Sequence, residues 1–173
     1  MEKQQPLKVD QPNPIEPMGV HSLNPRNVPV DGEGLRDWSS PLLCGCGEGP
    51  GLFCTSMCCP CLINTRNLRR IRYLEENNRP DPRREELLGE DSLFGIFLEA
   101  MCNVTWILQM GTRRAIRDRY HIRGSSWTDC CAPAWCQPCD LVQSHREIQF
   151  EEEYLMGQSQ GEDVRHVDTK SEV

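Results

Sequence analysis

Cys54-Thr-Ser-Met-Cys58-Cys59-Pro60-Cys61 and Cys130-Cys131-Ala-Pro-Ala-Trp-Cys136-Gln-Pro-Cys139 are the two stretches on which the reading of this chain turns. Each sets several thiols close together and puts a proline beside a cysteine, which fixes the local turn and so the directions of the sulfurs. Soft thiolates at such short spacing suit zinc or another soft divalent metal, held tetrahedrally by four ligands. The candidate metal ligands are Cys54, Cys58, Cys59 and Cys61 from the first cluster and Cys130, Cys131, Cys136 and Cys139 from the second. Cys136 and Cys139 have the spacing of half a structural zinc site, but the doubled pair of a zinc ribbon is absent. S-palmitoylation of a cysteine cluster beside a membrane-near segment is a competing reading. So is burial of cysteine as a small hydrophobe; Cys102 reads as that or as facing the metal site. Cys44 and Cys46, in a glycine loop, read as peripheral. His145 reads as a solvated helix residue rather than an extra ligand, and His121 as exposed.

The chain of 173 residues is long enough for one domain, but 38% hydrophobic content with 13 Pro and 13 Gly leaves little for a large apolar core. A net charge of −7 argues against nucleic acid as a partner, since that role wants a basic face. Eleven cysteines are an odd number and cannot all pair within one chain. Residues 1–20 are polar and carry no apolar signal segment. The expectation is therefore a reducing cytosol in which thiols stay free, bind metal or react, with a disulfide framework as the alternative.

Residues 1–36 are poor in aromatics and rich in Pro, Asn, Asp and Gln, and read as a disordered arm. Residues 151–173 open on Glu151-Glu152-Glu153 and read as a fraying helix end and an acidic, solvated tail. The ordered domain is then 37–150. Leu68, Ile71 and Leu74 recur at helical spacing and predict a helix over 64–77, ended by Asn77-Asn78 and the prolines that follow. Residues 79–91 form a charged connection. A third helix runs from Asp91 to about Tyr120, and within it Ser92 to Gly111 is nearly all apolar and about the length of a bilayer. Glu99 near its middle makes a poor lipid-facing span. Ser92, Gly95, Glu99, Cys102 and Asn103 share a small or polar face, which would turn to protein and leave the rest to lipid. A buried core helix and a helix lying in the interface are the alternatives. The arginine-rich segments 66–72 and 113–123 would sit at an anionic surface. A short helix from Asp140 to about Glu153 closes the domain. The fold class is mainly α with irregular cysteine-rich loops, a small helical core between disordered termini.

Four landmarks, in order, resemble the placenta-specific-gene-eight family, which includes plant cadmium-resistance proteins, cell number regulators and cornifelin. Cys54-x4-Cys59-Pro60-Cys61 is similar to its central signature, and Asp37-Trp38-Ser39-Ser40-Pro41-Leu42 to its opening. Thr112 to Tyr120 is similar to the basic stretch after its apolar segment, and Asp129 to Cys139 with Gln143-x-x-Arg146-Glu147-Ile148 to its close. The resemblance spans 37–150 and implies a membrane-associated, cysteine-rich protein with no established enzymatic activity, linked in plants to heavy-metal resistance and organ size. Val142 stands where many relatives carry another cysteine, and the connection after Cys61 is longer and more charged than in plant members. Both departures count against a pore.

The expected function is non-enzymatic: a membrane-associated module binding zinc or another soft metal, structurally or in metal homeostasis. Its partners would be membrane lipid and other proteins or a second copy of itself, at the plasma membrane with the cysteine clusters on the cytosolic side. The alternative is a membrane-proximal regulatory adaptor in growth or cell-number control. A redox or thiol enzyme is least favoured, because no basic residue or histidine is paired with a cysteine in the sequence.

Overall fold

The computed structural model describes residues 23–44, 50–86 and 105–170. Five α-helices and one short 3-10 turn, Leu42–Cys44, make up the regular structure among them. Helix α1 is Pro50–Cys58, α2 Pro60–Asn77, α3 Thr105–Arg119, α4 Ser126–Trp135 and α5 Gln137–Lys170. The expected helical class holds. Ser92–Val104, the larger part of the apolar segment, and Cys46 lie outside the described residues.

Local chemistry sets the helix ends. Pro60 opens α2, where its missing N–H and fixed φ cost nothing. Asn78 closes α2 in the left-handed conformation, φ 48°, and donates its N–H to the Leu74 carbonyl. Ser125 caps α4 reciprocally with Thr128, so two orphan N–H groups are satisfied at once.

Helix α5 is the spine: α1, α2, α3, α4 and the 3-10 turn all pack against it. Ile71 and Leu74 of α2, Ile116 of α3, Tyr120 and Ile122 just after it, and Ile148 of α5 form one apolar cluster, edged by Leu23, Trp38, Leu68 and Leu155. The loop at Val30–Arg36 closes on itself and then on Ile122 through isolated bridges, with the Arg36 N–H donating to the His121 carbonyl at 2.9 Å.

Three boundaries differ from the sequence reading. Residues 23–36, placed there in the disordered arm, contribute Leu23 to the core edge and the buried Arg36. The helix expected over 140–153 begins at Gln137 and continues to Lys170. Glu151 and Glu152, read as solvated, are buried. The last has a clear cause: Arg119 and Arg70 supply partners that make burial of these carboxylates tolerable.

Because Ile148 is fully buried where α2, α3 and α5 meet, Ile148→Ala should cost about 2–5 kcal/mol in urea unfolding. A loss near zero would place the apolar centre elsewhere.

Candidate functional site

Four arginines, from one loop and two helices, converge on α5. Arg36 Nη2 lies 3.1 Å from Glu147 Oε2, both fully buried. Glu147 also accepts from the backbone N–H and the hydroxyl of Ser39. Arg113 reaches Asp140 and Gln143, its guanidinium stacked 4.1 Å over the Trp38 ring. Gln143 in turn donates to the Ser40 carbonyl. Arg119 grips Glu151 with two nitrogens, and the Tyr120 hydroxyl donates to the same carboxylate at 2.7 Å. Arg70 does the same to Glu152, at 3.0 and 2.6 Å. Asp129 of α4 takes the Arg117 side chain at 3.1 Å.

The first, third and fourth sequence landmarks thus meet in space. Trp38 and Ser39, Arg113, and Gln143 and Glu147 form one connected polar unit. The arginines of 66–72 and 113–123, expected to face an anionic surface, are largely spent inside. Arg70 and Arg113 are buried, and Arg69, Arg117 and Arg119 hold Asp81, Asp129 and Glu151.

His145 is buried, not solvated. Its Nδ1 lies 2.8 Å from Arg70 Nη1. Nδ1 also lies 3.2 Å from Asn67 Oδ1, and a ring set against a guanidinium, which only donates, is held neutral. Burial, with Arg70, Arg66 and Arg146 nearby, holds its pKa well below the ordinary 6.5. It lines a polar cleft of about 210 Å³ with Arg66, Arg84, Gln149 and Glu153. Burial pushes the Asp140 carboxyl up to about 6, against the pull of Arg113.

The cysteines lie mostly on the outer flanks. Cys54 and Cys58 of α1 and Cys59 at its end are exposed, and Cys61 in the first turn of α2 is buried. On α4, Cys130 is half-buried and Cys131 exposed. Cys136 and Cys139, expected to offer thiolates, are joined to each other as a disulfide. Their Cα atoms stand 5.3 Å apart, within ordinary disulfide reach. Among the described residues, no three His, Cys, Asp or Glu side chains are placed to hold a metal ion together. Val142, at the position of the missing cysteine, is buried against the core side of α5. His121 is exposed, as expected. Among the described residues, no helix is long and apolar enough to cross a membrane.

Sequence reasoning missed the carboxylates. Asp140, Glu147, Glu151 and Glu152 look like helix-surface charges in one dimension. Glu147 lies seven residues after Asp140 and Glu151 four after Glu147, a helical stripe of carboxylates that was the available signal.

A single long helix clamped by buried guanidinium–carboxylate pairs, with cysteine-rich segments on its flanks, defines a small helical cysteine-rich domain. Residues 38–147 match the PLAC8 family, and the chain belongs to it. It is similar to cell number regulator 9 of Zea mays, 27% identical over 131 residues, covering 76% of this chain and 68% of the relative. Cell number regulator 7 of Zea mays is 26% identical over 125 residues, 70% of this chain and 64% of that protein. No solved structure matches the chain.

Two outcomes follow from this geometry. Glu147→Ala, which strands Arg36 as an unpaired buried charge, should cost about 3–5 kcal/mol, whereas Arg36→Met with Glu147→Leu should recover most of it. Denaturant midpoints of the three proteins decide this, and a double variant as weak as the single one would contradict it. For His145 the unfolded chain takes up a proton below pH 6.5 that the folded protein refuses, so stability falls as pH drops through 6.5. Asp140 acts oppositely between 3.8 and about 6, since the folded protein is protonated first. Comparing wild type with His145→Gln removes the Asp140 contribution. The gap in acid sensitivity should approach about 1.4 kcal/mol per pH unit below the histidine range. Parallel pH profiles would show that the ring is free to charge in the fold.

Proposed function

We propose that this chain is a non-enzymatic, membrane-associated regulatory module that takes part in control of cell number. The observation that carries the lipid part is the start of α3. Trp106, Ile107 and Leu108 are exposed by 38%, 48% and 43%. Consecutive helix residues point about 100° apart, so this end of α3 is open and apolar around more than half its circumference. It continues the apolar sequence Ser92–Val104 directly. An apolar helix end of that kind suits an apolar medium, and tryptophan suits the boundary of one. On α1, Met57 is exposed beside the exposed thiols of Cys54, Cys58 and Cys59, which are open to S-acylation as a second anchor. The growth-control part rests on the family and on the names of the maize relatives.

A second reading, a soft metal on the reduced thiols, has one observation in its favour. The segments that carry both clusters, α1, α2 and α4, all pack on α5. Elemental analysis of protein purified under reducing conditions, beside Cys136→Ser with Cys139→Ser, separates it from the first: about one zinc per chain, lost in the double variant, would support it.

Phosphatidylcholine vesicles, with and without phosphatidylserine, should pellet the full chain with little salt dependence, because burial of apolar surface drives the contact. Trp106→Ser with Ile107→Ser and Leu108→Ser should leave most protein in the supernatant while circular dichroism stays helical. Wild-type protein that fails to pellet with either vesicle would overturn the lipid reading. Depleting the chain from its cells should change cell number; unchanged counts would remove the growth-control part alone.

A further inference from the structure

Trp135-Cys136-Gln137-Pro138-Cys139 sits where α4 ends and α5 begins. Cys136 closes α4 and its carbonyl accepts the Asp140 N–H, the first bond of α5. The two sulfurs are bonded to each other but differ in burial: Cys136 is partly exposed, whereas Cys139 is buried at 6% exposure. Trp135, immediately before the outer sulfur, is 87% exposed, and Trp127, two turns earlier on the same face of α4, is 76% exposed. Cys131 lies between them on that face and is exposed. Pro138, second in α5, has no N–H to leave unsatisfied and fixes the turn that holds the sulfurs together. The charged neighbour in the first turn, Asp140, accepts from Arg113, and Cys139 lies in that same first turn, at the positive end of the helix.

We propose that Cys136 and Cys139 are a thiol–disulfide exchange site, in which Cys136 is the sulfur attacked and low-molecular-weight thiols and disulfides are the exchange partners, so that the pair itself is reduced or oxidised and no substrate is turned over. A partner thiolate attacks Cys136 Sγ in line with the S–S bond. That bond breaks, Cys139 leaves as thiolate and takes a proton from solvent, and a mixed disulfide stands on Cys136. A second partner thiolate attacks the partner sulfur of that mixed disulfide. It releases the partner disulfide and leaves Cys136 as thiolate, so two electrons pass from two thiols to the pair. In reverse, the Cys136 thiolate opens the partner disulfide, and the Cys139 thiolate then attacks Cys136 Sγ to expel the second partner thiol. Access decides which sulfur is attacked, and the helix start stabilises the charge that develops as the bond opens. The exposed Trp135 and Trp127 give the partner an apolar ledge beside the reacting sulfur. A bond that only staples α4 to α5 needs none of this asymmetry.

The test uses the full chain with reduced and oxidised glutathione, chelator present throughout, acid quench, and mass mapping of alkylated and glutathione-bearing cysteines. Native protein should interconvert with the glutathione couple without loss of helical circular dichroism. Cys139→Ser should collect the adduct on Cys136 about tenfold faster than Cys136→Ser collects it on Cys139, as unequal access requires. Cys131→Ser should leave the exchange of the pair unchanged. Equal adduct rates on the two sulfurs would overturn the proposal, and so would a native pair reduced only when urea unfolds the chain. Should either single variant lose its helical signal, the wild-type comparison of native and urea-unfolded reduction rates decides alone: similar rates support exchange, and protection in the native state makes the bond a staple.

Discussion

Arg36, Arg70, Arg113 and Arg119 come from a loop and two helices, and each delivers its guanidinium to a carboxylate of α5. Charges of this kind cost several kcal/mol each to take out of water and are tolerated only when paired and hydrogen-bonded. The protein accepts that cost because its apolar cluster is small. Hydrophobic burial alone would let the helices slide on one another, since ridges of similar aliphatic side chains pack in more than one register. A guanidinium that must meet one carboxylate at about 3 Å does not allow sliding. The pairs therefore act on specificity of packing more than on net stability, and losing one partner is costlier than losing both.

This arrangement explains what the family landmarks do together. Trp38 and Ser39 near the start of the domain, Arg113 in the basic stretch, and Gln143 and Glu147 near its close form one hydrogen-bonded and stacked unit. The chain from Trp38 to Glu147 is closed into a loop by that unit. The cysteine segments are carried on the outside of the loop, where α1 and α4 flank the spine.

Polar groups occupy the interior and several apolar ones the surface. Trp106, Ile107 and Leu108 at the start of α3, and Trp127 and Trp135 on α4, are open, while Glu151 and Glu152 are closed off. The two outer features serve different ends: the α3 start faces a lipid phase in the proposed function, and the α4–α5 junction holds the disulfide. Both depend on α5 being held from all sides, because a spine free to rotate would carry Cys139 and Asp140 out of their places beside Cys136 and Arg113.

The sequence by itself determined the helical class, the family, the helix over 64–77 within a turn, and the closeness of Cys136 to Cys139, because all of these rest on local spacing or on ordered short motifs. The burial of Val142 and of His145, and the fate of each thiol, were not legible there. Tertiary structure alone decided that Glu151 and Glu152 are interior, that Arg36 belongs to the domain and not to a solvated arm, and that Arg70, Arg113 and Arg119 of the basic segments turn to carboxylates of α5. A charged side chain looks the same in sequence whether water or an opposite charge neutralises it. Which of the two it meets depends on residues 82 and 111 positions away, and that distance is closed only by the fold.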